Sequence, residues 1–281
     1  MSPELWGPTT KDDHPTTGRT TATPGNFGLF SSPITHHPSL ISDPIVASNP
    51  YPSVTTLAFD IFGTVLDLTG SITPPTRQFL KKKGAAVSAE QFWDQWRARQ
   101  RIEQYQDSLM MLGHSGYLET CRKALLYCLR LNDIPFTDED VRGLMQAWQG
   151  LTPHADVAEG LRRLGKRYKL VALSNGEQPY LEHLEKERMR FGFNALISVQ
   201  RAGMFKPHPS VYRTGAMVLG VEPHEIMMVA AHAFDIMGAR ACGYRGAYVN
   251  RYRLPYEESP FKPDIEVRDF VALADLLEAV R

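Results

Sequence analysis

The rhythm of apolar and polar positions changes along the chain. Residues 1–52 have no period, and Pro, Thr, Ser and Gly dominate stretches such as DDHPTTGRTTATPGNFGLFSSPITHHPS. Such a segment buries too little apolar surface to offset its conformational entropy, so a disordered tail is expected. From Val54 the run VTTLAFD is short and β-rich, ends in Asp60 and is followed by the turn-like IFGT. It predicts a buried parallel strand with a loop at its carboxyl end. Up to about Leu151 the period is then helical. Ser88 and Gln91 form a capping-box pattern that opens AEQFWDQWRARQRIEQY. GYLETCRKALLYCLRLN predicts a second helix, and DEDVRGLMQAWQ a third after Thr137.

After Thr152 helix and strand patterns alternate. DVAEGLRRLGKR, LEHLEKERMRF, PSVYRTGAMVLG and FDIMGARACG predict helices, whereas YKLVALS, ALISVQ, EIMMVAA and GAYVN predict strands. DIEV and then VALADLLEAV close the chain. This alternation implies an α/β fold, a Rossmann-like parallel sheet with helices on both faces. The helical block interrupts it. The expected organisation is therefore a tail over 1–52, an α/β core over 53–67 and 152–281, and an inserted all-helical cap over 68–151.

Charge narrows the partners. The chain has 281 residues, with 31 Lys and Arg against 31 Asp and Glu. Zero net charge argues against nucleic acid or an anionic membrane held by bulk charge. No apolar run approaches the roughly 20 residues a membrane span needs. The opening MSPELWGPTTKDDHP lacks the basic start and apolar stretch of a secretory signal. Cys121, Cys128 and Cys242 are an odd, sparse set without a CxxC pair, which points to a reducing, cytoplasmic setting. His36 and His37 alone do not make a metal site.

In open α/β sheets ligands bind at the carboxyl ends of the strands. Asp60 follows the first strand, and Ser174, Asn175 and Gly176 end YKLVALS. His232 and Asp235 follow EIMMVAA, and Lys206 lies in the loop GMFKPHP. Two carboxylates, a hydroxyl and an ammonium are thereby expected at one sheet edge. Alone, Asp60 reads as a turn aspartate and Lys206 as a surface lysine; together they form a constellation.

FDIFGT, LSNG, FKPHPSVY and AAHAFD resemble, in order and approximate spacing, the motifs of the haloacid dehalogenase (HAD) superfamily. The resemblance covers about residues 53–281, and the helical insertion matches that superfamily's cap. Within it the chain most resembles the type II, L-2-haloacid branch. The resemblance implies that Asp60 is the nucleophile and that Lys206 keeps it ionised. Phosphatases of the superfamily carry a second Asp two positions after the nucleophile as general acid. Phe62 stands there and cannot do that work, and a departing halide needs no proton. Magnesium-dependent members resemble GDxxxD in the last motif, whereas here Ala231 stands four positions before Asp235. Hard cations need several oxygen ligands, so chemistry without metal or other cofactor is expected.

Further roles follow from the same resemblance. Asp235 orients or activates the water that opens the covalent ester, or else caps the next helix. The well-known dehalogenases resemble S-S-N where this chain has Ala230, Ala231 and His232. His232 therefore either replaces a water-positioning amide or is a satisfied strand-end histidine. Arg97, in WDQWRARQ, either binds the substrate carboxylate by its bidentate fork or joins Arg99 and Arg101 on a solvated face. Tyr212 matches a tyrosine after the lysine motif, or is a half-buried helix aromatic. Thr64 and Ser174 are expected to hydrogen-bond Asp60 or substrate oxygens, and Asn175 to fix the loop or the carboxylate. Trp93, Trp96, Tyr105 and Met110 are either an apolar wall around the substrate chain or plain cap core.

The expected activity is hydrolysis of a small 2-halo carboxylic acid to a 2-hydroxy acid. The alternatives are a Mg²⁺-dependent small-molecule phosphatase, attack on another electrophilic carbon such as a strained ring acid, or a non-catalytic binding module. The expected partner is a small-molecule carboxylic acid, and a homodimer stays open.

Overall fold

The computed structural model describes residues 50–279. The expected tail, except for its residues 50–52, and the His36–His37 pair lie outside the described residues. So do Val280 and Arg281, the end of the closing helix pattern.

Six parallel strands form the central sheet: β1 (Thr56–Phe59), β4 (Lys169–Ser174), β5 (Ala195–Ser198), β6 (Ile226–Ala230), β7 (Arg245–Val249) and β8 (Ile265–Val267). Their order is β5-β4-β1-β6-β7-β8. Alternate residues of each strand face opposite sides. Leu57 and Phe59 of β1, with Met227 and Val229 of β6, pack under α5 (Val157–Leu164) and α9 (Phe270–Ala279). Ala58, Met228 and Ala230 point the other way, onto α7 (Pro209–Leu219) and α8 (Ala233–Ala241). Burial on both faces explains why these strands read as unbroken apolar runs rather than as alternation.

β1 sits at the middle of the sheet, where the strand order reverses and the loops on either side diverge. This is the switch point at which a crevice opens. The β2 (Leu66–Asp67) and β3 (Thr152–Pro153) pair forms an antiparallel ribbon through which the chain leaves and re-enters the α/β layer. Between them lie α1 (Leu68–Lys83), α2 (Ala89–Leu109), α3 (Tyr117–Leu131) and α4 (Asp138–Gln146). Asp67 caps α1 by accepting from Gly70 N at 2.9 Å. Ser88 and Gln91 form the reciprocal capping box of α2, and Thr137 with Asp140 that of α4.

Element ends differ from the sequence expectation where side chains compete with the backbone. ALISVQ stays extended only to Ser198, whose hydroxyl accepts from Gln200 N at 3.1 Å and turns the chain into a 3₁₀ helix. The helix expected over LEHLEKERMRF starts earlier, as α6 (Gln178–Leu184), and continues as a π turn over Glu185–Met189. Among the described residues no helix is long and apolar enough to cross a membrane.

Candidate active site

Asp60 leaves β1 at its carboxyl end, its N–H still bonded to Val229 O at 3.0 Å. The turn that follows has a steric reason for Gly63. Its φ is +92°, and an added Cβ would come within 2.9 Å of the Tyr252 hydroxyl and 3.0 Å of the His232 ring. Thr64 completes the turn. Its Oγ1 donates to Asp60 Oδ2 at 2.7 Å and accepts from Ala231 N at 2.9 Å, joining the β1 loop to the end of β6.

Two further groups touch the carboxylate, and two more stand behind them. His232 Nδ1 approaches Asp60 Oδ2 at 3.2 Å, and Lys206 Nζ approaches Oδ1 at 3.4 Å. Lys206 Nζ is nearer to Asp235 Oδ2, at 2.7 Å, and the Tyr212 hydroxyl donates to Asp235 Oδ1 at 2.7 Å. All five side chains are buried. Burial disfavours the charged form of Asp60, but the Lys206 charge and the hydrogen bonds from His232 and Thr64 outweigh it and hold the carboxyl well below the usual range. Burial pushes Asp235 up to about 6: Lys206 pulls against the shift, and the negative charge of Asp60 adds to it. Burial pushes the His232 imidazole down to about 4, more than its contact with Asp60 restores.

The helical insertion closes this edge. A cleft of about 330 Å³ runs along α2 and is lined by Thr69, Trp93, Arg97, Arg101, His232 and Tyr252. His232 stands between the cleft and Asp60: its ring lines one and its Nδ1 faces the other. Arg97 reaches across from α2, with Nη1 donating to Gln100 Oε1 at 2.6 Å and Nη2 to Phe62 O at 3.4 Å.

Residues 54–243, well over half of the chain, match the family model of haloacid dehalogenase-like hydrolases. The chain belongs to the haloacid dehalogenase-like hydrolase family. The (S)-2-haloacid dehalogenase of Pseudomonas sp. (strain YL) is 29% identical over 224 residues, 79% of this chain and 94% of that protein. The one from Xanthobacter autotrophicus is 31% identical over 197 residues, 69% and 74% of the two chains. The solved L-2-haloacid dehalogenase from Xanthobacter autotrophicus gives a TM-score of 0.71 at 27% identity, covering 81% of this chain and 100% of that one.

Several side chains of this hydrolase stand elsewhere than the sequence suggested. Tyr212 is not at a substrate surface: it is fully buried and spends its hydroxyl on Asp235. Ser174 does not reach Asp60; its Oγ accepts from Gly176 N at 3.3 Å and holds the following turn. Asn175, by contrast, takes the loop-fixing one of its two expected roles. Its Oδ1 accepts from Lys206 N at 2.9 Å, and its Nδ2 donates to Gln104 Oε1 at 3.2 Å. The Phe62 ring stacks on Tyr117, with centroids 3.9 Å apart, and is not among the residues that line the cleft; its carbonyl accepts from Arg97. Asp235 is no helix cap: it lies in the first turn of α8, and both its oxygens accept from side chains.

The aromatic stripe divides. Trp93 lines the cleft, while Trp96 is buried in the helical layer with Nε1 donating to Cys121 O at 2.7 Å. Tyr105 lies in a neighbouring depression with Phe205, and Met110 is 58% exposed. Sequence reading missed Tyr252, whose hydroxyl donates to Gly63 O at 2.9 Å. It sits in RYRLPYEESPFKP, a stretch without helix or strand period. Gln104 was missed as well, although it follows Gln100 at i+4 and Trp96 at i+8, on the same buried row.

Proposed function

We propose that this hydrolase displaces halide from a small 2-halo carboxylic acid and releases the 2-hydroxy acid. The observation that carries the reading is the setting of Asp60, whose two carboxyl oxygens are unequally engaged. Oδ2 accepts from Thr64 and His232, whereas Oδ1 has, among the described residues, only the 3.4 Å contact with Lys206. The names of the relatives, (S)-2-haloacid dehalogenases, support the choice of leaving group.

In the first step Asp60 Oδ1 attacks C2 of the substrate, the carbon–halogen bond breaks and the carbon inverts. Halide departs as an anion and needs no acid, which suits a site where Phe62 stands two residues beyond the nucleophile. Arg97 holds the substrate carboxylate. In the second step water adds to the carboxyl carbon of Asp60, the bond from that carbon to the ester oxygen breaks, one water proton passes to the departing oxygen to give the 2-hydroxy acid, and the other is released to solvent as Asp60 returns to its carboxylate. Neutral His232 positions the water through Nε2, while Asp235 and Tyr212 hold Lys206. Phe62 and Ala231 offer no side-chain oxygen, so the set is a poor match for a hard divalent cation.

The test pairs two assays, halide release from (S)-2-chloropropanoate and phosphate release from p-nitrophenyl phosphate, each with and without EDTA. Halide release that survives chelation is expected. Phosphate release that needs Mg²⁺, with no halide release, would replace this reading by the phosphatase one.

A further inference from the structure

α2 presents two cations to the same cleft. Trp93, Arg97 and Arg101 follow at i, i+4 and i+8, so they form one row along the helix, and all three line the cavity with His232 and Tyr252. Arg99, between them in sequence, points elsewhere: it pairs with Glu103 and lies over the Tyr127 ring. Arg101 has no such partner. It makes no salt bridge or hydrogen bond among the described residues, its Nε is buried without an acceptor, and its guanidinium sits 5.6 Å from the centroid of the Phe234 ring. Asp94 also lines the cleft but pairs with neither arginine. Burial and the repulsion of Arg97 both work against the Arg101 charge.

A buried donor without an acceptor is costly, and two like charges facing one cavity add to that cost. An anion between them relieves both. One carboxylate is already assigned to Arg97 in the proposed reaction, and it leaves Arg101 without a counter-charge. We infer that Arg101 is a second anion-binding residue and that the preferred ligand carries two carboxylates, one on Arg97 and one on Arg101. Side chains one turn apart on a helix are about 5–6 Å apart at Cβ, roughly the span of a four- or five-carbon dicarboxylate. Trp93 precedes the two arginines in the row, and Tyr252 and His232 line the cleft with them. The inference rests on the 2-halo acid reading for the chemistry but not for the binding.

The experiment separates the two. Titration calorimetry of wild type with succinate and with butanoate, neither carrying a halogen, reads the second site without turnover. Succinate is expected to bind at least tenfold tighter, the usual weight of a charge-assisted hydrogen bond being one to two decades. Arg101→Leu, and Arg101→Gln as the variant closer in shape, should each erase that ratio. The ratio of kcat/KM for 2-chlorosuccinate over 2-chlorobutanoate should fall by the same factor. Equal binding of the two acids by wild type, or a ratio untouched in both variants, overturns the second site. A succinate preference lost in the variants, with no halide released from either chloro acid, upholds the second site and overturns the dehalogenase reading instead.

Discussion

His232 Nδ1 lies 3.2 Å from Asp60 Oδ2. An ionised carboxylate can only accept, so the ring hydrogen is on Nδ1 and the lone pair is on Nε2. Nothing among the described residues donates to Nε2, and the ring lines the cleft. A histidine in this state costs stability in acid. Its pKa falls from 6.5 to about 4 on folding, so between those values the unfolded chain takes up a proton that the folded one refuses. Stability therefore drops as the pH falls through that window. His232→Asn has no such term. The unfolding free energy of wild type should fall by about 2 kcal/mol more than that of the variant between pH 7 and pH 5. Urea titrations at the two pH values measure it, and parallel losses in the two proteins would mean that the imidazole is not held neutral by burial.

Tyr212 gives a second pH test. Ionised Asp235 draws the Lys206 ammonium to 2.7 Å and leaves it 3.4 Å from Asp60, so the nucleophilic oxygen stays free. Protonated Asp235 releases the ammonium toward Asp60 and weakens the nucleophile. The acid limb of kcat should accordingly lie near the Asp235 value of about 6. The Tyr212 hydroxyl favours the ionised form, so Tyr212→Phe should move that limb to higher pH while the plateau rate changes little. A limb that stays in place would assign it to another group.

The covalent step is checked at the atom. Asp60→Asn should abolish turnover, since a neutral amide does not displace halide. One turnover of wild type in ¹⁸O water should place label in the Asp60 carboxylate and none in the first product. Label found directly in the 2-hydroxy acid would mean that water, not Asp60, attacks C2.

How far the sequence foretold this arrangement depended on what each residue's partner was. Asp60, Lys206, His232 and Asp235 all follow strands whose order could be read from alternating βα patterns, and the structure gathers them at one edge. Side-chain direction was not legible in the same way. Phe62 and Ser174 stand in the expected motifs, yet one turns into an aromatic stack and the other onto its own turn. Tyr252 comes from a loop without period, and its hydroxyl meets Gly63 O, 189 residues away in the chain, while its ring lies beside that of His232. The pairing that silences Arg99 and spares Arg97 and Arg101 is a matter of helix rows, which the spacing contained but which only the packed insertion oriented toward the cleft.

Arg97 provides the sharpest test of substrate placement. Its donors go to Gln100, to the Tyr117 hydroxyl at 3.4 Å and to the Phe62 carbonyl, and among the described residues no carboxylate pairs with it. Arg99, two positions away, is already neutralised by Glu103. The two arginines differ, then, in whether their charge is free to take a carboxylate. Arg97→Lys keeps the charge but loses the planar fork, and loss of a hydrogen bond to a charged group costs about 1.5–3 kcal/mol, roughly one to two decades in kcat/KM. Arg97→Ala should cost at least as much, because it removes the charge as well as the fork that holds the carboxylate beside Asp60. Arg99→Ala removes a partly exposed i,i+4 pair and should change kcat/KM less than threefold, in keeping with the roughly 0.3–0.5 kcal/mol such pairs contribute. Measured on (S)-2-chloropropanoate, the order wild type ≈ Arg99→Ala > Arg97→Lys ≥ Arg97→Ala supports Arg97 as the carboxylate holder. Near-wild-type values for all three would place the carboxylate elsewhere and leave Arg97 as a strut between α2 and the Phe62 loop.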